Sequence, residues 1–252
     1  MLLFQPAPPT RFDLNFTLAG FPVRVHPSFW LVAVLFSISS RSLLFILIWV
    51  AAIFISILLH ELGHAVAFRR YGQSSSILLH YAGGLTIPET IRWGGGYAGV
   101  SLSPNQHIQV SLAGPGAGFL LAGFVIAIVL ALGGAVSTFP LLGFIPIPSA
   151  TLPFGGAIAN SIVSILLWVN VFWGLINLVP VYPLDGGNVS RNILLQFDPW
   201  DGVRKSLWIS VGAGAVMALL GLVYFNSLYM TILFGLLAFQ SYQSLQGRGW
   251  GF

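Results

Sequence analysis

Charge is what this sequence has least of. Of its 252 residues only 6% are Asp, Glu, Lys or Arg, while 56% are hydrophobic. A soluble domain carries about 25% charged residues, so this chain lacks the polar surface to cover itself in water. The gaps matter more than the mean. No charged residue falls between Arg92 and Asp185, and none between Lys205 and Arg248. Apolar runs of about 18 or more residues are candidate membrane spans, and several fit into those gaps. Cysteine is absent altogether. That excludes disulfides and thiolate metal sites but leaves the compartment open. The first residues, MLLFQPAPPTRFDLNF, lack a basic stretch followed by an apolar one, so no cleaved signal peptide is expected. Although the pI is near 9.8, the ten basic residues are scattered. In a membrane protein such residues set topology, and no nucleic-acid partner is expected.

What is present is a set of apolar stretches. Six spans are expected, at 27–39, 42–68, 105–132, 156–178, 207–224 and 228–245. The first is short and needs tilt or an anchor such as Trp30. With the N-terminus in the cytoplasm, Arg11, Arg24, Arg69, Arg70, Arg92, Arg191, Arg204, Lys205 and Arg248 fall on that side, and Arg41 alone lies outside. The asymmetry supports six spans with both termini cytoplasmic. The uncharged stretch around Gly133–Gly155 then forms an external loop.

Two segments have the pattern of strands. Residues 12–25 alternate apolar and polar around Ala19-Gly20, which predicts a β-hairpin. Residues 76–88, with Gly83-Gly84 taken as the turn, predict a second one. It is too short to cross as a helix, and open strand edges are not tolerated in lipid, so it should lie re-entrant or interfacial against protein. Gly94-Gly95-Gly96 has the composition of a flexible connection. The fold class expected is a membrane all-α bundle of about six helices with a small β element at the cytoplasmic side. It forms one domain over 1–252, without a PDZ or CBS module.

The chemistry lies in the second span, where His60-Glu61-Leu62-Gly63-His64 spells H-E-x-x-H. On a helix, His60 and His64 stand one turn apart on one face and can share a metal ion. Glu61 projects about 100° round from His60, placed to take a proton from a water at that ion. Ionisable groups inside a span are costly and functional by default. Counted back from Arg69, His60 lies about 14 Å along the helix, below the cytoplasmic surface but short of the bilayer centre. A catalytic zinc takes three protein ligands, so one is missing. His26, His80, His107, Asp13, Glu89, Asp185, Asp198 and Asp201 are the candidates. Asp185 stands out after the helix-breaking Pro180 and Pro183 and before Gly186-Gly187, which permit a tight turn. It could equally be the N-cap of a helix over 188–195. Gly114-Pro115-Gly116 in the third span suggests a kink or, more simply, close packing.

HELGH on an apolar helix, followed by Asn177-Leu-Val-Pro-Val-Tyr-Pro-Leu-Asp185-Gly-Gly, resembles the site-2 protease family of intramembrane zinc metalloproteases (peptidase family M50). FPVRVHPSFW before the first span, the Gly83-Gly84 hairpin and SLAGPGAG at 111–118 resemble that family as well. The resemblance implies one Zn²⁺ per chain, held by His60, His64 and Asp185, with Glu61 as general base. It also implies that Asn177 faces the site, where its amide could bind substrate or a developing oxyanion.

The expected function is hydrolysis of peptide bonds in a transmembrane or signal-type protein substrate within the lipid bilayer, in a multi-pass protein of a prokaryotic cell membrane. The substrate must unwind locally, and an extended segment could add to the edge of the 76–88 hairpin, beside Gly83 and Gly84. Two rival functions carry the same spans. A transporter would not require Glu61 beside His60 with His64 one turn on, and no inverted repeat is evident. A proteolytically silent membrane scaffold would not require an intact set of ligands and base.

Overall fold

The computed structural model describes residues 6–37, 42–89, 91–93, 96–98 and 101–247. It is mostly helical with a small sheet. Among the described residues, four helices are long and apolar enough to cross a membrane: Leu43–Arg70, Pro104–Ala131, Gly156–Asn177 and Gly202–Val223. The contacts divide the chain into two compact units, one of Pro6–Val100 and Ala113–Ile176, the other including Ser101–Leu112 and Asn177–Phe252.

The first unit is organised round α2 (Leu43–Arg70). Ser42 caps its start by accepting a hydrogen bond from the Phe45 N–H, and Arg69 and Arg70 in its last turn complement the helix dipole. Before it come β1 (Leu14–Leu18), β2 (Phe21–Val25) and the short α1 (Pro27–Leu35), and after it β3 (Ser75–His80) and β4 (Gly83–Pro88). The two expected hairpins are not separate. β2 and β3 pair in parallel, Val23 opposite Ile77 and Val25 opposite Leu79, giving one sheet in the order β1-β2-β3-β4. Parallel neighbours need a crossover, and here the crossover is α1 plus α2. The sheet therefore packs on α2: Phe21, Val23, Val25, Ile77 and Leu79 bury against Leu58 and Ala65 of that helix.

One turn differs from the sequence expectation. The β1–β2 turn is Ala19-Gly20, both at positive φ, as expected. The β3–β4 turn, however, is Tyr81-Ala82, and Gly83 and Gly84 are the first residues of β4, paired with His80 and Leu79. A Gly-Gly pair signals a turn through its backbone freedom, but here Gly84 is needed for a close approach, described below. A short pair, β5 (Ile91–Trp93) with β6 (Gly96–Ala98), follows where a flexible connection was expected. Gly94 and Gly95 lie outside the described residues.

The rest of the first unit comes from α3 (Pro104–Ala131, in this unit from Ala113 onward), β7 (Ala135–Leu141), β8 (Ile145–Thr151) and α4 (Gly156–Trp168). The stretch taken for an external loop is thus a β-hairpin with seven-residue strands. It has no polar–apolar alternation to betray it, since it is uncharged and its few hydroxyl residues, Ser137, Thr138, Ser149 and Thr151, fall on both faces. Helix α4 continues through a π-helical turn, Val169–Trp173, into α5 (Gly174–Asn177). Asn170, buried in that turn, donates to Ser56 Oγ on α2 and to the Leu166 carbonyl, each at 2.8 Å.

The second unit holds α6 (Asp185–Phe197), α7 (Gly202–Val223) and α8 (Leu228–Leu245). Helices α7 and α8 form a hairpin that closes at small residues: a Cβ on Gly214 would stand 3.0 Å from that of Ala238, and one on Gly221 2.9 Å from the Thr231 nitrogen. The helices α2, α3, α4 to α5, α7 and α8 coincide with expected segments to within a few residues. Only α7 departs more, starting five residues before the expected 207. Helix α8, like α1, is not among the four long and apolar enough to cross. Helix α1, at nine residues, rises only about 14 Å.

Candidate metal centre

His60 and His64 lie on consecutive turns of α2, and their Nε2 atoms stand 3.2 Å apart. Two imidazole nitrogens bound to one tetrahedral zinc at 2.0–2.1 Å would be about 3.3 Å apart, so the pair fits a single ion. His64 is 8% exposed and Glu61 between them 6%. Chain packing keeps the same place clear from the α3 side. A Cβ on Gly114 would collide with His64 Nε2 and stand 2.7 Å from His60 Nε2. The spot a methyl group would fill at Gly114 is thus where the two donor nitrogens converge. One turn along, Gly63 faces the Ala113 carbonyl and the Ala117 Cβ with no room for a side chain. Small residues at 63, 113, 114 and 117 let α2 and α3 meet backbone to backbone. The packing expectation for Gly114-Pro115-Gly116 holds at Gly114, which also borders the histidine pair, whereas a Cβ on Gly116 would meet open space.

Glu61 is held by the sheet. Thr86 Oγ1 on β4 lies 2.7 Å from Glu61 Oε2 and 2.9 Å from the Glu61 carbonyl oxygen. With one proton to give, it donates to one of these at a time. A Cβ on Gly84 would collide with the Glu61 carboxyl group. Strand β4 therefore contributes one brace, Thr86, and one deliberate gap, Gly84. Thr86 is not marked in the sequence, and Gly114 is marked there only as a packing residue, since what each does at the site depends on residues 20 or more positions away. Their signal is three-dimensional.

The remaining candidate ligands have other places. His26 caps α1, its Nδ1 accepting from the Ser28 N–H. His80 is buried on β3, its Nδ1 accepting from Ala82 N–H at 3.4 Å. Burial, and then the nearby His26 and Arg24, push His80 below the usual imidazole range. Asp13 pairs with Arg24 at 3.0 Å and accepts from Thr10, whose hydroxyl is the main cause of its lowered pKa. Asp198 is held by Lys205 at 2.6 Å, which lowers its pKa. Asp201 is the N-cap position of α7, Glu89 follows β4, and His107 lies in the first turn of α3.

In the second unit Asp185 is the first residue of α6, whose N-cap is Leu184. The helix begins three residues earlier than expected, and the N-cap reading of Asp185 does not hold. The two glycines after it are helical rather than a turn. A Cβ on Gly186 would collide with the Leu178 carbonyl, and one on Gly187 with the Tyr182 backbone. Glycine there allows α6 to start against the 178–182 segment, and Asn188 Nδ2 donates to the Pro183 carbonyl at 3.2 Å. Asn177 is the last residue of α5.

The histidine pair yields a direct test. Gly114→Ala should leave helix content, read by circular dichroism, near that of the parent, yet lower bound metal sharply because the methyl enters the space between the imidazole tips. Full metal content in Gly114→Ala would contradict this geometry.

Comparison with known proteins gives the family. The profile of peptidase family M50 matches residues 48–219, which includes the histidine pair and Asp185. A zinc metalloprotease of Methanocaldococcus jannaschii is 29% identical over 213 residues, 83% of this chain and 52% of its own. The protein Rip3 of Mycobacterium tuberculosis is 30% identical over 217 residues, 80% of this chain and 48% of its own. This chain thus spans about half the length of these curated relatives. A solved site-2 protease from Methanocaldococcus jannaschii shares the fold, with a TM-score of 0.56 over 93% of this chain and 95% of that one at 23% identity. By the extent of the family match, the chain belongs to peptidase family M50.

Proposed function

We propose that this chain is an intramembrane zinc metalloendopeptidase that hydrolyses peptide bonds of membrane-spanning protein substrates. The observation that carries the reading is the placement of His60, Glu61 and His64: two imidazoles converging to 3.2 Å with a braced, buried carboxylate between them in sequence, on a helix apolar enough to span. Family membership and the naming of a relative as a zinc metalloprotease support it.

Asp185 is the third ligand in this proposal. It opens α6 with its glycines giving close support, and Asp13 and Asp198 are already paired to Arg24 and Lys205. One Zn²⁺ per chain, when bound, supplies a Lewis acid and brings the pKa of its water to about 7. Glu61 takes the proton from the attacking water and hands it to the leaving amine. Thr86 keeps the Glu61 carboxyl in place through both transfers. The Asn177 amide donates to substrate or to the oxyanion as charge develops. An unwound substrate segment adds to the edge of β4, the outer strand of the sheet among the described residues, alongside Gly83 and Gly84. One face of that strand lies on the base, since Gly84 and Thr86 both meet Glu61 on it.

The proposal also includes six membrane crossings, with α1 and α8 joining the four long helices, both termini in the cytoplasm and a prokaryotic cell membrane as the site. The basic residues of the sequence support the orientation.

Three variants test the roles separately. Glu61→Gln should retain zinc but lose cleavage of a test transmembrane substrate by at least about 10²-fold, since an amide accepts no proton. Zinc with near-parental cleavage would remove Glu61 from the mechanism. Thr86→Val should lower kcat about tenfold, the worth of one hydrogen bond to a charged group, with KM little changed and Thr86→Ser restoring the rate. Equal activity in Val and Ser variants would make Thr86 a packing residue. Asp185→Asn should lose zinc under mild chelation and cleave at least about 10–100-fold more slowly. Parental values for both would exclude it as a ligand.

A further inference from the structure

The β7–β8 hairpin joins α3 to α4, and such a connection would ordinarily lie in the water beyond the membrane. Its contacts place it elsewhere. At its base, Leu152 exchanges hydrogen bonds with Asn160 in the first turns of α4: its N–H donates to Asn160 Oδ1 and its carbonyl accepts from Nδ2. Nearer the tip, the Phe139 ring stacks on Trp168, centroids 6.2 Å apart and planes 18° apart. Trp168 is twelve residues beyond Gly156, about 18 Å down the helix. Six residues of strand from the base pair Ala135–Thr151 to Leu141–Ile145 cover about 20 Å. The hairpin thus runs back along α4 instead of away from it.

Helix α4 cannot stand outside the bilayer to accommodate this. From Trp168 to Asn177 only about ten residues would be left to cross, half of the roughly 20 a span requires. The hairpin is also built for an apolar medium. It carries no charged residue, nor does any residue from 93 to 184. In an antiparallel ladder, pairs that exchange both hydrogen bonds alternate with pairs whose N–H groups point outward. Pro140↔Pro146 and Thr138↔Pro148 are pairs of one kind, and proline fits only the outward kind without loss of ladder bonds. Three of the four residues on the two outward pairs nearest the tip therefore have no N–H to leave unbonded in lipid. Ala150 on one face packs with α3 and α4, while Ile147 on the other face, opposite Phe139, is fully buried. Strand β7 is exposed along most of its length, and Phe144 at the tip is 75% exposed.

From these observations we infer that β7–β8 is a re-entrant hairpin, immersed among lipid acyl chains, with its tip at Phe144 and its base at the membrane surface. The prolines remove three of the outward donors near the tip; the outward carbonyls and the Thr138 N–H remain as the cost of this arrangement in lipid. Its partner is the hydrocarbon of the bilayer, and it shields the middle of α4 and the π-helical turn on that side.

The absence of native cysteine makes the test clean. Phe144→Cys and Thr151→Cys are each spin-labelled, and the protein is reconstituted in phosphatidylcholine vesicles. Collision rates with oxygen, which concentrates in hydrocarbon, and with an aqueous nickel chelate are then compared. Oxygen should prevail at 144 and nickel at 151, so that the ratio reverses from tip to base. Nickel prevailing at 144 would place the tip in water, and low rates for both reagents there would mean that protein covers it. Oxygen prevailing at both positions would mean that the base does not reach the surface. Each of these three results overturns the re-entrant arrangement. Phe144 is too exposed for its replacement to remove packing, and unchanged helix content confirms the fold of each variant.

Discussion

Two imidazoles and a carboxylate must be kept inside a 28-residue helix that is otherwise almost wholly apolar, and much of the first unit follows from that constraint. Such groups are expensive within a span unless a partner, a metal or protein hydrogen bonds take them up. α2 is therefore walled on both sides of His60–His64 by backbone rather than by bulky side chains. On one side Gly114 and Ala113 of α3 approach to contact, and on the other β4 presents Gly84 and Thr86. The crossover topology explains how a sheet comes to lie there. Because α2 connects two parallel strands, the strands bury on the helix that carries the motif.

Glycine performs different tasks at successive positions of this architecture. Gly63 and Gly114 let two helices touch, Gly84 clears space for a carboxylate, and Gly186 and Gly187 let α6 begin against the segment before it. None of these is a turn. Proline is equally specific in the β7–β8 hairpin, where it falls on pairs of one kind. A chain with so few charges shapes its polar site mainly by where it omits atoms.

The long helices were legible because an apolar run bounded by charge or proline has no other economical fate in lipid. His60, Glu61 and His64 were legible because the spacing of one helical turn is itself the geometry. Thr86 was not, and Gly114 was legible as a packing position but not as the neighbour of the histidines, since those roles arise from contacts between elements distant in sequence. Gly83-Gly84 was taken for a turn because flexibility is the commonest use of such a pair, while steric room for Glu61 leaves no local trace. The β7–β8 hairpin was hidden for the opposite reason. Uncharged strands whose few hydroxyl residues fall on both faces, as Ser137 and Thr138 do, show no period of two. The start of α6 was placed late because Asp185-Gly-Gly has a turn-like composition, although those residues are helical.

The central claim is that the paired imidazoles of α2 hold a zinc ion on which proteolysis depends. Zinc K-edge X-ray absorption on purified protein, alongside its cleavage of a transmembrane substrate, tests it most directly. About one zinc per chain, with scattering from two imidazoles at about 2.0–2.1 Å and oxygen in the remaining positions, is the expected spectrum. Cleavage by protein free of zinc, or bound zinc without imidazole scattering, would contradict it.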